Sequence, residues 1–185
     1  MAETQVQDPR SDLELVEALN QGDSAAFDVL YYRHRDWVVN LSFRFTRDRD
    51  ASLDVLQETF VYFAKKFPGF RLTAQLRTFF YPAVKNLSLA AKRKAERLQP
   101  LPEDGMHETP APETSAPSQR DEIFAALAGI SEEQREVLTL RFIDGLQLGE
   151  IAVALEIPTG TVKSRLHNAL TALRKDPRTK KLFGE

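Results

Sequence analysis

The sequence contains no cysteine, which excludes disulfides, thiolate metal sites and thiol catalysis and assigns any redox sensing to a partner. Its three histidines, His34, His107 and His167, are not spaced as metal ligands. The first thirty residues lack a basic start followed by an apolar run, and no uninterrupted apolar stretch is long enough to span a bilayer. A soluble, cytoplasmic protein with no membrane insertion is therefore expected. Also missing are a nucleophile elbow, a phosphate-cradling glycine loop and a zinc signature. The expectation is no enzyme, no catalytic residue, no cofactor and no metal, with His34 a packing or surface residue.

The net charge of −2 over 185 residues conceals strong segregation. Between Ser11 and Ala64 acidic residues outnumber basic ones by ten to five, whereas from Lys65 to Arg97 nine basic residues face Glu96 alone. The second stretch is a candidate polyanion site.

A hydrophobic content of 42% allows one or two small cores. Residues 98 to 119 hold five prolines and four acidic residues but no lysine or arginine. They read as an acidic, semi-extended linker without fixed structure in the free protein. Residues 1–10 are expected to be disordered, and two domains follow, at about 11–97 and 120–185. Both read as helical throughout, because apolar residues recur at three and four without sustained alternation of period two. The fold class is all-α, with two small helical domains joined by a flexible linker and a helix-turn-helix in the second.

Ser11 to Glu14 forms a capping box, and Gly22-Asp-Ser24 closes the first helix. A second helix aligns Phe27, Leu30, Tyr31, Val38, Leu41 and Phe45. A third, at about 51–66, buries Val55 or Leu56, Phe60 and Phe63, and Phe67-Pro-Gly-Phe70 breaks it. Pro82 would cost ~3 kcal/mol inside a helix. A start near Thr78, acting as cap, would leave it near the end of the first turn, so the fourth helix is expected there. In the second domain a helix at about 120–128 ends at Gly129. Ser131 to Gln134 is another capping box, and the helix behind it aligns Val137, Leu138, Arg141 and Phe142.

A short helix from Gln147 to Leu155, a turn at 156–158 and a helix from Thr159 to Leu173 have helix-turn-helix spacing. Ile151, Leu155, Ile157, Val162, Leu166 and Leu170 would form its core, with Thr159 as N-cap and Ala152 small at the crossing. The second helix would display Thr161, Lys163, Ser164, Arg165, His167 and Asn168 to DNA. Arg165 is the candidate for direct base readout, and Lys163 and Ser164 for phosphates. A plain helical bundle with a solvated polar face fits the same spacing. In the first domain, the basic helix preceded by Phe67, Phe70, Phe79, Phe80 and Tyr81 suits single-strand binding by stacking and phosphate neutralisation. The alternative there is that Phe79, Phe80 and Tyr81 anchor the helix and the lysines solvate it.

The residues resemble the extracytoplasmic-function (ECF) sigma factors of bacterial RNA polymerase over both domains. Ser131-Glu-Glu-Gln-Arg-Glu-Val-Leu-Thr-Leu-Arg-Phe142, Glu150-Ile-Ala152 and Ile157-Pro-Thr-Gly-Thr-Val-Lys-Ser-Arg-Leu-His167 look like the family's promoter-binding domain. Asp54-Val-Leu-Gln-Glu-Thr-Phe60 is similar to its polymerase-clamp segment, and Leu76-Arg-Thr-Phe-Phe-Tyr-Pro-Ala-Val-Lys-Asn86 to its strand-opening segment.

The resemblance implies core RNA polymerase as partner, through its beta' clamp and beta flap, with Asp54, Gln57, Glu58 and Phe60 as contacts. It implies that Phe67, Phe70, Arg71, Phe79, Lys85, Asn86, Lys92 and Arg93 meet the opened −10 strand, with the turn from Phe67 to Gln75 taking a flipped base. Thr159, Thr161, Lys163, Ser164, Arg165, His167 and Asn168 would read duplex DNA at −35, and the linker would thread towards the RNA path. An anti-sigma factor is a further partner the flexible linker would accommodate. The chain departs from the family pattern at Phe79-Phe80, where Trp-Leu is usual, and at Pro82. It also departs at Ser52-Leu53, where Ala-Glu is usual, and at Glu156, where glycine is usual. A non-initiating helix-turn-helix regulator is the competing reading from another class.

Overall fold

A computed structural model describes residues 8–98 and 125–180, in which every regular element is a helix. The chain divides into two compact units, with the boundary between these stretches. The expected linker lies outside the described residues, apart from Leu98, which ends a helix, and so do residues 120–124 of the helix expected before Gly129.

The first unit packs α1 (Asp12–Asn20), α2 (Ala25–Thr46), α3 (Arg49–Ala64) and α4 (Leu76–Leu98) into a bundle in which α2 touches the other three. The Ser11 box forms as expected: Ser11 N–H donates to Glu14 Oε2 at 2.6 Å, and Glu14 N–H donates to Ser11 Oγ at 3.3 Å. Order begins earlier than expected, since Arg10 forks onto Asp8 and reaches Asp23, and Arg33 holds the Asp8 and Arg10 carbonyls. Asp12 then ties α1 to α2, one oxygen on Arg33 at 2.7 Å and the other on buried His34 at 2.8 Å. Burial alone would raise the Asp12 carboxyl, but the hydrogen bonds and charges of His34 and Arg33 outweigh it and hold it below its ordinary value.

Phe63 is fully buried at the centre of the core, with Phe27, Phe60, Phe67, Phe70, Phe79 and Phe80 at 5.1 to 6.4 Å, centroid to centroid. Most of these pairs are edge-on or tilted, as the ring quadrupole favours. Both Val55 and Leu56 are buried, so the choice between them was not needed.

Helix α4 corrects one expectation. It begins at Leu76, not Thr78, whose hydroxyl is buried without a hydrogen-bond partner, and Pro82 lies inside it. Starting at Leu76 puts Leu76, Phe80, Val84 and Ser88 at four-residue steps on the buried face. Burying Leu76 and Phe80 stabilises by ~1.5–3 kcal/mol each, enough to offset the ~3 kcal/mol of an interior proline.

The second unit contains a helical turn at 125–128, α5 (Glu132–Phe142), α6 (Leu148–Leu155), α7 (Thr159–Lys175) and a short α8 (Pro177–Lys180). The Ser131 box forms, and Arg135 braces the preceding turn by donating to the Leu127 and Ile130 carbonyls at 2.9 and 3.1 Å. Val137 and Leu138 are buried as expected, but Phe142 is 62% exposed and Leu140 takes the inner place. Two residues are about 200° of helix apart, so one of this pair must face outward.

The α6–α7 pair has the helix-turn-helix core, with Ile151, Ala152 and Val162 buried and Leu155, Ile157, Leu166 and Leu170 half-buried. Glu156 adopts the left-handed conformation at φ 55°, its N–H bonding the Val153 carbonyl while Ile157 N–H bonds that of Ala152. Pro158, not Thr159, holds the cap position of α7. An extended ψ of 143° there puts Thr159 in the first helical turn, so its hydroxyl is not a cap.

Because a side chain at a left-handed position costs roughly 1 kcal/mol, Glu156→Gly is expected to stabilise the second unit by about that amount, measured by urea denaturation. The depressed Asp12 carboxyl adds stability to the first unit that is present above its unfolded value near 3.8 and lost as pH falls through its folded value. Acid titration of thermal stability should therefore show a smaller decline below about pH 4 for Asp12→Asn than for the unaltered chain, from a lower starting stability.

Candidate polymerase and nucleic-acid interfaces

On α3, Asp54, Gln57 and Glu58 are exposed, as a docking face requires. Asp54 and Glu58 rim a groove of about 340 Å³ whose floor includes Val55, Leu87 and Ala91 between α3 and α4. Phe60 does not share that face. It is 4% exposed and packs edge-on against Phe27 and Tyr31 and tilted against Phe80. The assignment of Phe60 as a polymerase contact is corrected: its ring belongs to the core.

The basic segment divides in the same way. Phe80 and Tyr81 are buried, which removes them from any stacking surface. Phe67, Phe70 and Phe79 remain half-buried at the rim, with Phe70 4.7 Å from Phe79 and 5.7 Å from Phe67. Arg71, Asn86, Lys92 and Arg93 are exposed and Lys85 is half-buried. At 100° per residue, Phe79, Asn86 and Arg93 follow one another along one face of α4, while Lys85 and Lys92 share an adjoining one. The predicted strand-binding side chains thus lie on two neighbouring rows of one helix, continued by the turn before it.

Three features of this region escaped the sequence reading. Tyr62 is 41% exposed, stacks on Phe79 at 5.8 Å with an interplanar angle of 11°, and carries Lys66 Nζ 4.4 Å from its ring centre. The four-residue step from 62 to 66 was a legible signal. Arg77 lies 5.6 Å over Trp37, a contact between helices with no local signature. Asn20, at the end of α1, hydrogen-bonds twice to the backbone of the turn after α3, some fifty residues away.

In the second unit, Thr159, Lys163, Ser164, His167 and Asn168 are exposed, and Thr161 and Arg165 half-buried. Helical periodicity sorts them. Thr161, Ser164, Arg165 and Asn168 form one stripe along α7, and Lys163 and His167 lie on its flank. Ser164 Oγ donates to the Thr161 carbonyl at 3.0 Å, so that hydroxyl offers a ligand only its lone pairs. The Ser131 hydroxyl, the backbone of Glu133 itself and, least, the Arg165 charge hold the exposed Glu133 carboxyl below its ordinary value. Among the described residues no group of three or more His, Asp or Glu side chains is placed to hold a metal ion, and no helix is long and apolar enough to cross a membrane.

The first unit thus carries an acidic α3 face and a basic α4, and the second a helix-turn-helix with a polar outward stripe. Residues 30–98 match the Sigma-70 region 2 family, and residues 126–175 match Sigma-70 region 4. The chain is 31% identical over 180 residues to the RNA polymerase sigma-H factor of Pseudomonas aeruginosa, covering 89% of this chain and 92% of that one. It is 30% identical over 173 residues to the ECF RNA polymerase sigma-E factor of Haemophilus influenzae, covering 86% and 91%. The chain belongs to the ECF sigma factors of RNA polymerase. Its fold is also that of CnrH, solved in complex with the cytosolic domain of CnrY, at a TM-score of 0.62 and 21% identity over 93% of this chain and 96% of that one. It is likewise that of the sigma factor RpoE of Bartonella quintana, solved with the anti-sigma factor NepR, at 0.56 and 21% over 80% and 94%.

The burial of Phe60 separates two substitutions that the sequence alone would pair. Phe60→Ala is expected to destabilise the first unit by about 3–5 kcal/mol, whereas Gln57→Ala should change stability by under about 0.5 kcal/mol. Chemical denaturation read beside core-polymerase affinity checks this: Gln57→Ala should weaken affinity without shifting the unfolding midpoint.

Proposed function

We propose that the two units of this sigma factor divide promoter recognition between them. The first docks on the polymerase clamp through Asp54, Gln57 and Glu58 and holds the opened −10 strand. There the turn from Phe67 to Gln75 takes a flipped base, Phe70 and Phe79 form its apolar floor, and Arg71, Lys85, Asn86, Lys92 and Arg93 hold phosphates. The second unit reads the −35 duplex through α7 and also meets the beta flap. The observation that carries this reading is the stripe of Thr161, Ser164, Arg165 and Asn168, facing outward over an intact helix-turn-helix core.

Within that stripe Arg165 meets base edges and Ser164 turns its hydroxyl from the Thr161 carbonyl to donate to a phosphate, with Lys163 and His167 on the flanking backbone and Thr159 and the start of α7 beside it. The chain supplies binding energy and duplex opening, and the polymerase supplies the chemistry, so no residue here is catalytic. Its place of action is the cytoplasm, on the nucleoid when bound to polymerase. An anti-sigma factor belongs to the same proposal, and the solved complex of the fold relative RpoE with NepR supports it.

The deciding experiment is binding of the full chain to core polymerase, followed by selection of promoter fragments by the complex. Tight binding that Gln57→Ala weakens, with recovered fragments sharing two spaced motifs, is expected. No binding to core, with DNA still selected, would instead mark a regulator that does not drive initiation. Arg165→Ala should weaken binding to the selected −35 duplex by about 1–3 kcal/mol with little change on unrelated DNA. An equal loss on both would make Arg165 a phosphate contact.

A further inference from the structure

We infer that Asn20 is a positioning residue for the −10 strand: its side-chain amide clamps the backbone of the Phe67–Phe70 turn in the shape that receives DNA. Asn20 Oδ1 accepts the Gly69 N–H at 2.7 Å, and Asn20 Nδ2 donates to the Phe70 carbonyl at 2.8 Å. One amide therefore satisfies a donor and an acceptor of adjacent residues, much as a neighbouring strand would.

The turn needs such a clamp. Gly69 sits at φ +104°, where a side chain would be strained although the space around it is open. The turn lies between two helices with no regular structure of its own from Phe67 to Gln75. Its two aromatics rest on Phe63, but edge-on ring contacts fix a ring's position more than the direction of the backbone between rings. With the Gly69 N–H and the Phe70 carbonyl turned towards α1, the side chain of the next residue, Arg71, is exposed.

Asn20 is itself held firmly. Leu15 and Val16 bury α1 against the bundle, and Asp12 fastens its start to α2 through Arg33 and His34. The amide thus transmits the bundle's rigidity to a turn that would otherwise sample several conformations, and a preordered turn binds without the entropic cost of ordering.

This inference rests on the proposed contact between the turn and the −10 strand, and the test separates the two. Full-length chain is assembled with core polymerase and titrated with a single-stranded oligonucleotide carrying the −10 motif that the holoenzyme itself selects, and with versions altered at each base. Asn20→Ala is expected to weaken binding about tenfold, the scale of one or two lost hydrogen bonds, and to blunt discrimination at one base position. Gly69→Ala, which disturbs the same backbone by another route, should do the same. Affinity for core polymerase should stay near that of the unaltered protein, and the thermal midpoint of the free chain should fall by no more than the few degrees that the lost hydrogen bonds or the strain at Gly69 account for.

If Asn20→Ala leaves strand affinity and base preference unchanged while Arg71→Ala weakens them, the positioning role is overturned and the turn remains a DNA contact. If neither substitution has an effect, the turn does not meet the strand, and both readings fall. A loss of strand binding matched by equal loss of core affinity and of thermal stability would make Asn20 a folding residue only, which also overturns the inference.

Discussion

The first unit depends on the burial of Phe63. Its ring joins aromatics of α2, α3 and α4 and, on its outer side, Phe67 and Phe70 of the turn and Phe79 of α4. The same cluster is thus core on one side and proposed strand-binding floor on the other. Aromatic area supplies both stability and a place for a base to rest, and edge-on packing fixes the rings without polar partners. Phe60 shows the inner side of this division, buried in contacts that leave it no surface to offer a partner.

Three backbone irregularities lie beside the faces assigned to binding. Pro82 lies in α4 between Phe79 and Lys85, Gly69 has positive φ in the turn, and Glu156 has it between the helices of the helix-turn-helix. Each is tolerated because neighbours over-determine the conformation: buried Leu76 and Phe80 around the proline, the Asn20 amide on the turn, and two backbone hydrogen bonds at the end of α6. Glu156 takes the left-handed conformation that glycine adopts without strain, in the turn between α6 and α7.

Electrostatics follow local position more than total charge. A chain of net charge −2 carries exposed carboxylates on α3 and a basic α4 in one bundle, so one small unit can face a protein partner and a polyanion on separate surfaces. Exposed charges of this kind are screened over about 8 Å at physiological ionic strength.

Much of this was legible in the sequence because it is local. Helix periodicity, the boxes at Ser11 and Ser131, the break at Pro68-Gly69 and the helix-turn-helix spacing all arise from residues within a few positions of one another, where backbone geometry and hydrogen bonding leave few choices. The same local spacing and segregation of charge pointed to the α7 stripe and the basic α4. What only the tertiary structure decided was which apolar residues face inward and which backbone is held from a distance. Periodicity placed Phe60 inward, and only the resemblance turned it towards the polymerase, but it gave no means of telling that Phe80 is core while Phe79 stays at the rim, or that Leu76 would draw the start of α4 past Thr78. The Asn20 clamp and the Arg77–Trp37 contact join residues some forty to fifty positions apart. Their physical basis is the packing of α1, α2 and α4 around one aromatic core, and a contact of that kind exists only once the helices have met.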